Sequence, residues 1–295
     1  MSKENYTLIT GASSGIGKAM AFYCGSLSKN LILISLPGEN LSEVALQIAE
    51  KYKVKTRFFE TDLSHLGAPE EIFNWTQQEN LDVDILVNNA GVAGASVFES
   101  SEFKYIDDRI LLNVRALVML TRLFIPVLRK HPKSYILNVA SMAAYFPIPY
   151  KSLYSASKAF VLYFSRSVRT ELRNTNISVS VVCPNGVRTN NTTNQRIDAH
   201  GFIGRITEIS AETVAKKGID GMLKGKEVII PGEINYVLLT LQKIIPLSLQ
   251  HKILSREFSK EVKATCNTQP VGKVEETPQV TISENQDVTK QKFTA

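Results

Sequence analysis

Little in this chain invites a disulfide, a metal ion or a nucleic acid. Its three cysteines, Cys24, Cys183 and Cys266, are odd in number and far apart, with no CxxC pair. That spacing argues against a disulfide framework and suits a reducing compartment, so they are expected to be buried or incidental thiols. The four histidines, His65, His131, His200 and His251, are equally dispersed and lack metal-ligand spacing. A net charge of +6 is small for 295 residues, and the Lys and Arg residues are mixed with acids without interleaved aromatics. A nucleic-acid partner is therefore not expected. The first ten residues hold no apolar stretch of signal-peptide length, which makes a cytoplasmic location the default expectation. Asn191-Thr192-Thr193 matches a glycosylation acceptor, but without secretion the match is idle. Ile234 to Leu254 is rich in Leu and Ile, yet Gln242, Lys243, Gln250, His251 and Lys252 interrupt it and Pro246 breaks it, so no membrane-spanning helix is expected there.

What the chain does have is a hydrophobic content of 44%, enough for a substantial core. Short apolar, often β-branched runs recur at Tyr6 to Thr10, Leu31 to Ser35, Thr56 to Phe59, Ile85 to Asn88, Tyr135 to Val139, Ser178 to Cys183 and Glu227 to Ile230. Each has the length and composition of a buried strand. Between them lie stretches of helical spacing: Gly17 to Ser28, Leu41 to Tyr52, Glu70 to Gln78, Asp107 to Lys130, Ser155 to Arg173 and Ala211 to Leu223. The alternation predicts an α/β fold, a doubly wound, seven-stranded parallel sheet with helices on both faces. In such sheets ligands bind beyond the carboxyl ends of the strands, so the residues just after each run carry most functional weight.

Two patterns stand out there. Thr10-Gly11-Ala12-Ser13-Ser14-Gly15-Ile16-Gly17 follows the first strand and opens the first helix. Glycines permit a tight turn and close approach to a pyrophosphate, and a helix N-terminus favours its negative charge. Tyr154 and Lys158 stand at i and i+4, on one face of a helix. A neighbouring ammonium favours the phenolate, so Lys158 is expected to lower the pKa of Tyr154 and make it a general acid/base. An isolated YxxxK is more often a solvated helix surface; here Ser141 and the glycine loop favour chemistry.

Gly11, Gly15 and Gly17 are spaced unlike the common GxGxxG fingerprint and resemble the TGxxxGIG motif of the short-chain dehydrogenase/reductase family. Asn88-Asn89-Ala90-Gly91 resembles that family's NNAG motif, and Ser141, Tyr154 and Lys158 match its catalytic serine and YxxxK, all in the family's order. The resemblance covers about Tyr6 to Gly232. It implies a Rossmann fold and an NAD(P)-dependent oxidoreductase that interconverts a ketone or aldehyde and an alcohol. Tyr154 would pass the proton, Ser141 would orient the substrate oxygen, Lys158 would also hold the nicotinamide ribose, and Asn113 would hold a relay water.

The resemblance also implies cofactor contacts from Gly11, Ser13, Ser14, Gly15, Ile16 and Gly17, from Ser35 after the second strand, and from Asp62 and Leu63 after the third. Asn89, Ala90 and Gly91 would follow, with Asn89 mainly structural or on the adenosine side, and Tyr154 and Lys158 would touch the nicotinamide half. Pro184-Asn185-Gly186-Val187-Arg188-Thr189 resembles the family's PGxVxT, with asparagine for its first glycine, a residue that tolerates left-handed backbone. Pro184, Val187 and Thr189 would lie near the carboxamide. The strand-end acid of many NAD-preferring relatives and the basic residue of many NADP-preferring ones are both missing at Ser35-Leu36-Pro37. The hydroxyls of Ser13, Ser14 and Ser35 could accommodate a 2'-phosphate, which leans the expectation to NADP.

Met142, Ala143, Ala144, Tyr145, Phe146, Pro147 and Ile148, with Val92 and Ala93, are expected to wall an apolar pocket for a lipid-like, acyl or steroid-like substrate, core packing being the competing role. Asn190 to Ile209 has the polar, glycine-containing make-up of a substrate lid. Three regions are expected: a catalytic domain over 1–232, an amphipathic helical extension over 233–262 that could cover the site, pair with another subunit or rest on a membrane surface, and a disordered tail over 263–295. A homo-oligomer is expected. The alternative to an enzyme is a catalytically silent nucleotide-binding or scaffold protein on the same fold, which would be free to lose Tyr154 or Lys158.

Overall fold

The computed structural model describes residues 4–187, 208–242 and 244–266. Seven parallel strands form one sheet in the order β3-β2-β1-β4-β5-β6-β7. They are β1 (Asn5–Thr10), β2 (Asn30–Ser35), β3 (Thr56–Glu60), β4 (Asp82–Asn88), β5 (Ser134–Val139), β6 (Ile177–Val182) and β7 (Val228–Ile229). The connecting helices are α1 (Gly15–Ser26), α2 (Leu41–Tyr52), α3 (Ala68–Gln78), α4 (Phe103–Ile110), α5 (Ala116–Leu128), α6 (Ser152–Glu171) and α7 (Ala211–Leu223). The sheet is the doubly wound arrangement that the alternating pattern predicts.

Strand residues alternate between the two faces, and β2 shows it plainly. Leu31 and Leu33 join a core under α1, α2 and α7 with Ile9, Met20, Ile48, Val87 and Ile219. Ile32 and Ile34 join a second core on the other face with Leu8, Ile72, Leu86, Leu120 and Phe124, under α3 and α5. Both faces are covered, which is why the strands read as unbroken apolar runs rather than alternating ones. The apolar stretch Phe103–Leu128 is long enough to cross a membrane by length and composition. Its Leu120, Phe124 and Leu128 are fully or almost fully buried in that second core, so core packing accounts for its character.

The chain turns one way from β1 to β2 and the other way from β4 to β5, so β1 and β4, paired directly, mark the switch point where a doubly wound sheet opens a crevice at its carboxyl edge. Glycine is required at two places there. Gly11 has φ +66°, in the left-handed region. At Gly17 a Cβ would fall 2.0 Å from the Gly11 carbonyl oxygen and 2.4 Å from Asn89 Nδ2. Gly17→Ala is therefore expected to force the loop apart and destabilise the fold by about 2 kcal/mol or more. Urea unfolding checks this; a variant as stable as the parent would show that the loop relaxes freely.

Beyond β7, α8 (Glu233–Gln242) and α9 (Leu247–Cys266) are separated at Pro246. Helix covers most of the expected extension, and α9 runs on to Cys266, so residues 263–266, expected in the disordered tail, are helical instead. Ile234, Val237, Leu241, Ile244, Leu247 and Leu249 on this segment are exposed. Asn185 Nδ2 donates to Asn235 Oδ1 (2.9 Å) and Asn235 Nδ2 to Pro231 O (2.7 Å), fastening α8 to the loop after β6. The Lys151 ammonium lies 4.7 Å from the centroid of the Phe258 ring, so α9 meets the start of α6. The expected lid falls mostly, and the expected tail from residue 267 onward, outside the described residues.

Candidate active site

Gly11 to Gly17 form the turn from β1 into α1. The Thr10 hydroxyl accepts from Asn89 N and Ala90 N, both at 3.0 Å, and Asn89 Nδ2 donates to Thr10 O (2.8 Å) and Gly11 O (3.2 Å). Asn89 thus clamps the ends of β1 and β4 together, a structural role. Ser14 caps α1 without a side-chain bond, and the first turn carries no acidic residue. The first-turn amides of Gly15, Ile16 and Gly17 therefore face the crevice edge with nothing anionic from their own turn to satisfy them, which fits a pyrophosphate.

The catalytic candidates meet on the neighbouring strand ends. Ser141 follows β5 and starts a short 3-10 turn, Met142–Tyr145, its hydroxyl accepting from Ala143 N at 3.1 Å. The same hydroxyl donates to the Pro184 carbonyl at 3.4 Å and stands close enough to the Tyr154 phenol to lower its pKa. Tyr154 and Lys158 lie on α6, one turn apart, with the Lys158 Nζ 6.0 Å from the tyrosine ring centroid. Lys158 is buried and donates to the Val139 carbonyl at 2.8 Å.

These surroundings change the expected electrostatics. Burial around the phenol pushes the Tyr154 pKa up, partly offset by the Ser141 hydroxyl. Burial pulls Lys158 down to about 8. The expectation that Lys158 lowers the tyrosine pKa is therefore corrected: burial raises it, and the same burial weakens the ammonium. Tyr154 is a protonated acid at neutral pH in the free protein.

Asn113 sits in a π-helical turn, Leu111–Arg115, between α4 and α5. Such turns carry an extra residue and often occur at functional positions. Its Oδ1 accepts from Val92 N (2.8 Å), and its Nδ2 donates to Val92 O (2.9 Å) and Ser157 Oγ (3.3 Å). A Cβ on Gly91 would lie 3.0 Å from Asn113 Oδ1 and 3.3 Å from Lys158 Nζ. Asn113, Gly91 and Lys158 are therefore one cluster, in which the amide holds the loop after β4. Tyr150, at φ +65°, accepts from Ser96 N through its carbonyl at 2.8 Å. This strained residue joins that loop to the start of α6.

The other expected positions divide. Asp62 is pushed up by burial but held below the usual carboxylate range by bonds from the Ser64 hydroxyl and amide. Leu63 is a core residue. Ser35 Oγ donates to the Leu36 carbonyl, and Ser13 Oγ to the Glu39 carboxylate, so two of the three hydroxyls behind the lean to NADP are already engaged. Pro184 receives Met142 N on its carbonyl and Val187 pairs with Ile209; Thr189 lies outside the described residues. Asn185 is not in left-handed backbone. It stands in for glycine because its Oδ1 accepts from Gly186 N and its Nδ2 reaches Asn235. In the expected substrate wall, Met142, Ala143 and Ile148 are buried packing residues, whereas Ala144, Tyr145 and Phe146 are half-buried and Pro147, Val92 and Ala93 exposed.

Two participants escape a reading of the sequence. Thr10 is the hub of the β1–β4 clamp, and Glu39 reaches the glycine loop from beyond β2. Cys183 is fully buried, and burial pushes its thiol up to about 12. It packs as a buried, neutral thiol near Lys158, as expected of these cysteines.

Residues 5–200 match the family model for short chain dehydrogenases. The chain belongs to the short-chain dehydrogenase family. Among relatives of this family, a very-long-chain 3-oxoacyl-CoA reductase of Anas platyrhynchos is 36% identical over 194 residues, 62% of this chain and 60% of that protein. The chain thus spans about 60% of the length of such curated relatives. A short-chain dehydrogenase of Sphingobium yanoikuyae, solved in complex with NADPH, is 25% identical with a TM-score of 0.69, covering 82% of this chain and 96% of that one. One from Burkholderia phymatum, solved in complex with NAD, shares the fold at 22% identity and a TM-score of 0.72, covering 84% and 96%.

Proposed function

We propose that the protein is a nicotinamide-dinucleotide-dependent oxidoreductase that interconverts a carbonyl and an alcohol on an apolar, acyl- or steroid-like substrate. The observation that carries this reading is the placement of the Ser141 hydroxyl beside the Tyr154 phenol, with Lys158 one turn further along α6, at the carboxyl edge of the sheet. A bound dinucleotide would supply the hydride. The first-turn amides of α1 would hold its pyrophosphate, and Lys158 would hold its nicotinamide ribose. Ser141 donates to the substrate oxygen and aligns it, and Tyr154, protonated at neutral pH, passes its proton to that oxygen as negative charge develops. Asn113 holds the loop after β4 through Val92, beside the ammonium, so it acts by positioning; a relay water on it is a further expectation of the same reading.

The apolar substrate class is supported by the half-buried Ala144, Tyr145 and Phe146 next to Ser141. It is supported too by the acyl-CoA activity named for the Anas platyrhynchos relative. A scaffold role is disfavoured because a silent protein has no need to bury an ammonium beside a tyrosine. The deciding experiment is a panel of ketones and alcohols of graded chain length, followed by the absorbance of the reduced nucleotide. Turnover is expected to rise with apolar length, and activity confined to small hydrophilic sugars would overturn the substrate class.

A further inference from the structure

We infer that α8 and α9 dock on an anionic lipid bilayer. A surface helix ordinarily turns its apolar stripe inward and its polar residues to water, and these two do the reverse. On α8, Ile234, Val237 and Leu241 stand at i, i+3 and i+7 on one exposed stripe, while the polar Asn235, off that stripe, is fully buried with its amide donating to the Pro231 carbonyl. On α9, Leu249 and Ile253 are exposed, whereas Gln250 is buried and donates to the Ile245 carbonyl at 2.8 Å. Between the two helices Ile244 is 76% exposed. Of the twenty-one exposed large hydrophobic residues among those described, eight fall between Ile234 and Ile253. Exposed apolar residues scattered singly are ordinary, but a concentration of them marks a surface that meets another phase or partner.

Charge decides what covers this surface. From Ile234 to Arg256 the chain carries Lys243, Lys252 and Arg256 and no aspartate or glutamate. Lys252 and Arg256 are exposed, and they follow Leu249 and Ile253 by three residues each, so cations and apolar side chains lie along one side of α9. Among the described residues neither cation is ion-paired with an acid. Apolar side chains that enter the acyl boundary, with Lys and Arg held at the level of the phosphates, are what an interfacial helix requires. A second copy of the chain fits less well. A two-fold interface places the same patch on both subunits, which would set Lys252 and Arg256 near their own counterparts with no acid in the segment to pair them. The position of the helices then bears on the site. Asn235 ties α8 to the loop after β6, and Phe258 ties α9 to Lys151 at the start of α6, three residues before Tyr154. Docking therefore brings the crevice beside the lipid, the phase in which an apolar substrate dissolves. That delivery rests on the substrate class proposed above; the docking itself does not.

Flotation of the full chain with lipid vesicles, without substrate or nucleotide, tests the docking. Vesicles of phosphatidylcholine with about one-third phosphatidylglycerol are expected to bind the protein at least about tenfold more tightly than phosphatidylcholine alone, and added salt should narrow that difference. Lys252→Gln combined with Arg256→Gln should weaken binding to the anionic vesicles about twentyfold, at about fivefold for each cation removed. Leu249→Ser combined with Ile253→Ser should weaken binding to both kinds of vesicle at least about tenfold. These positions are exposed, and thermal unfolding alongside confirms that the variants are folded. A parent that does not float with the anionic vesicles, or binding that neither pair of substitutions changes, overturns the docking. Sedimentation velocity without lipid reads the rival occupant: a dimer that the Leu249→Ser and Ile253→Ser pair dissociates assigns the face to a second copy and overturns the bilayer. A protein that floats as expected but turns over no carbonyl or alcohol overturns the proposed reaction and leaves the docking standing.

Discussion

Tyr154→Phe is expected to lower kcat for carbonyl reduction by about a thousandfold, within the range that a positioned general acid contributes. The ring keeps its place on α6, so nucleotide binding and KM should change little; what is lost is the hydroxyl beside Ser141. The pH profile carries a second signature. Burial raises the Tyr154 pKa, so reduction, which needs the protonated phenol, should hold level through neutral pH and decline as pH passes that raised value. Oxidation of the alcohol needs the phenolate and should climb over the same range. Steady-state kinetics in both directions decide the matter. Unchanged turnover in the phenylalanine variant would remove Tyr154 from the mechanism.

Lys158→Met should abolish turnover and yet make the free protein more stable. Burial draws the lysine from its usual 10.5 down to about 8. With the folded value below the unfolded one, the charged form is penalised in the fold throughout the range below pH 8, by about 3 kcal/mol. Between pH 8 and 10.5 the unfolded chain retains a proton that the folded chain has released, so this group makes stability rise with pH. Cys24 and Cys183 act the other way. Both are pushed up from 9.0 to about 12 by burial, so the folded state holds protons above pH 9 that the unfolded state has lost, and stability falls. The lysine contribution is therefore isolated between about pH 8 and 9. Methionine fills similar volume without charge, at the cost of the 2.8 Å charge-assisted bond to the Val139 carbonyl, worth about 2 kcal/mol. A net gain of about 1 kcal/mol at pH 7 is expected, together with loss of the rise from pH 8 to 9. Thermal unfolding across that range reads both, and a lower Tm for the Lys158→Met variant than for the parent would show that the ammonium is not penalised.

The sheet was legible in the sequence because its strands are buried on both faces, and unbroken apolar runs between helical patterns admit few other architectures. Leu41 to Tyr52 and Ala211 to Leu223 coincide with α2 and α7, where the apolar spacing ends cleanly at its caps. The π turn at Leu111–Arg115 was not legible, since a single extra residue barely disturbs helical spacing over the long stretch that contains it. Much of the site was visible for a similar reason: YxxxK and the glycine loop are local motifs whose geometry follows from one helix and one turn.

By itself, the sequence determined the fold class, the order of the elements and the identity of the residues at the strand ends, because periodicity and turn chemistry act over a few neighbouring positions. Tertiary structure decided what depends on distant segments meeting. Desolvation by the assembled core raises Tyr154 and lowers Lys158, reversing the effect that their spacing alone predicts. Asn185 owes its place to Asn235, fifty positions away. Ser13 and Glu39 are twenty-six residues apart, and only the pairing of β1 with β2 and the turn at Gly38 place that carboxylate over the glycine loop. Burial and charge proximity are properties of the packed molecule, and no local pattern encodes them.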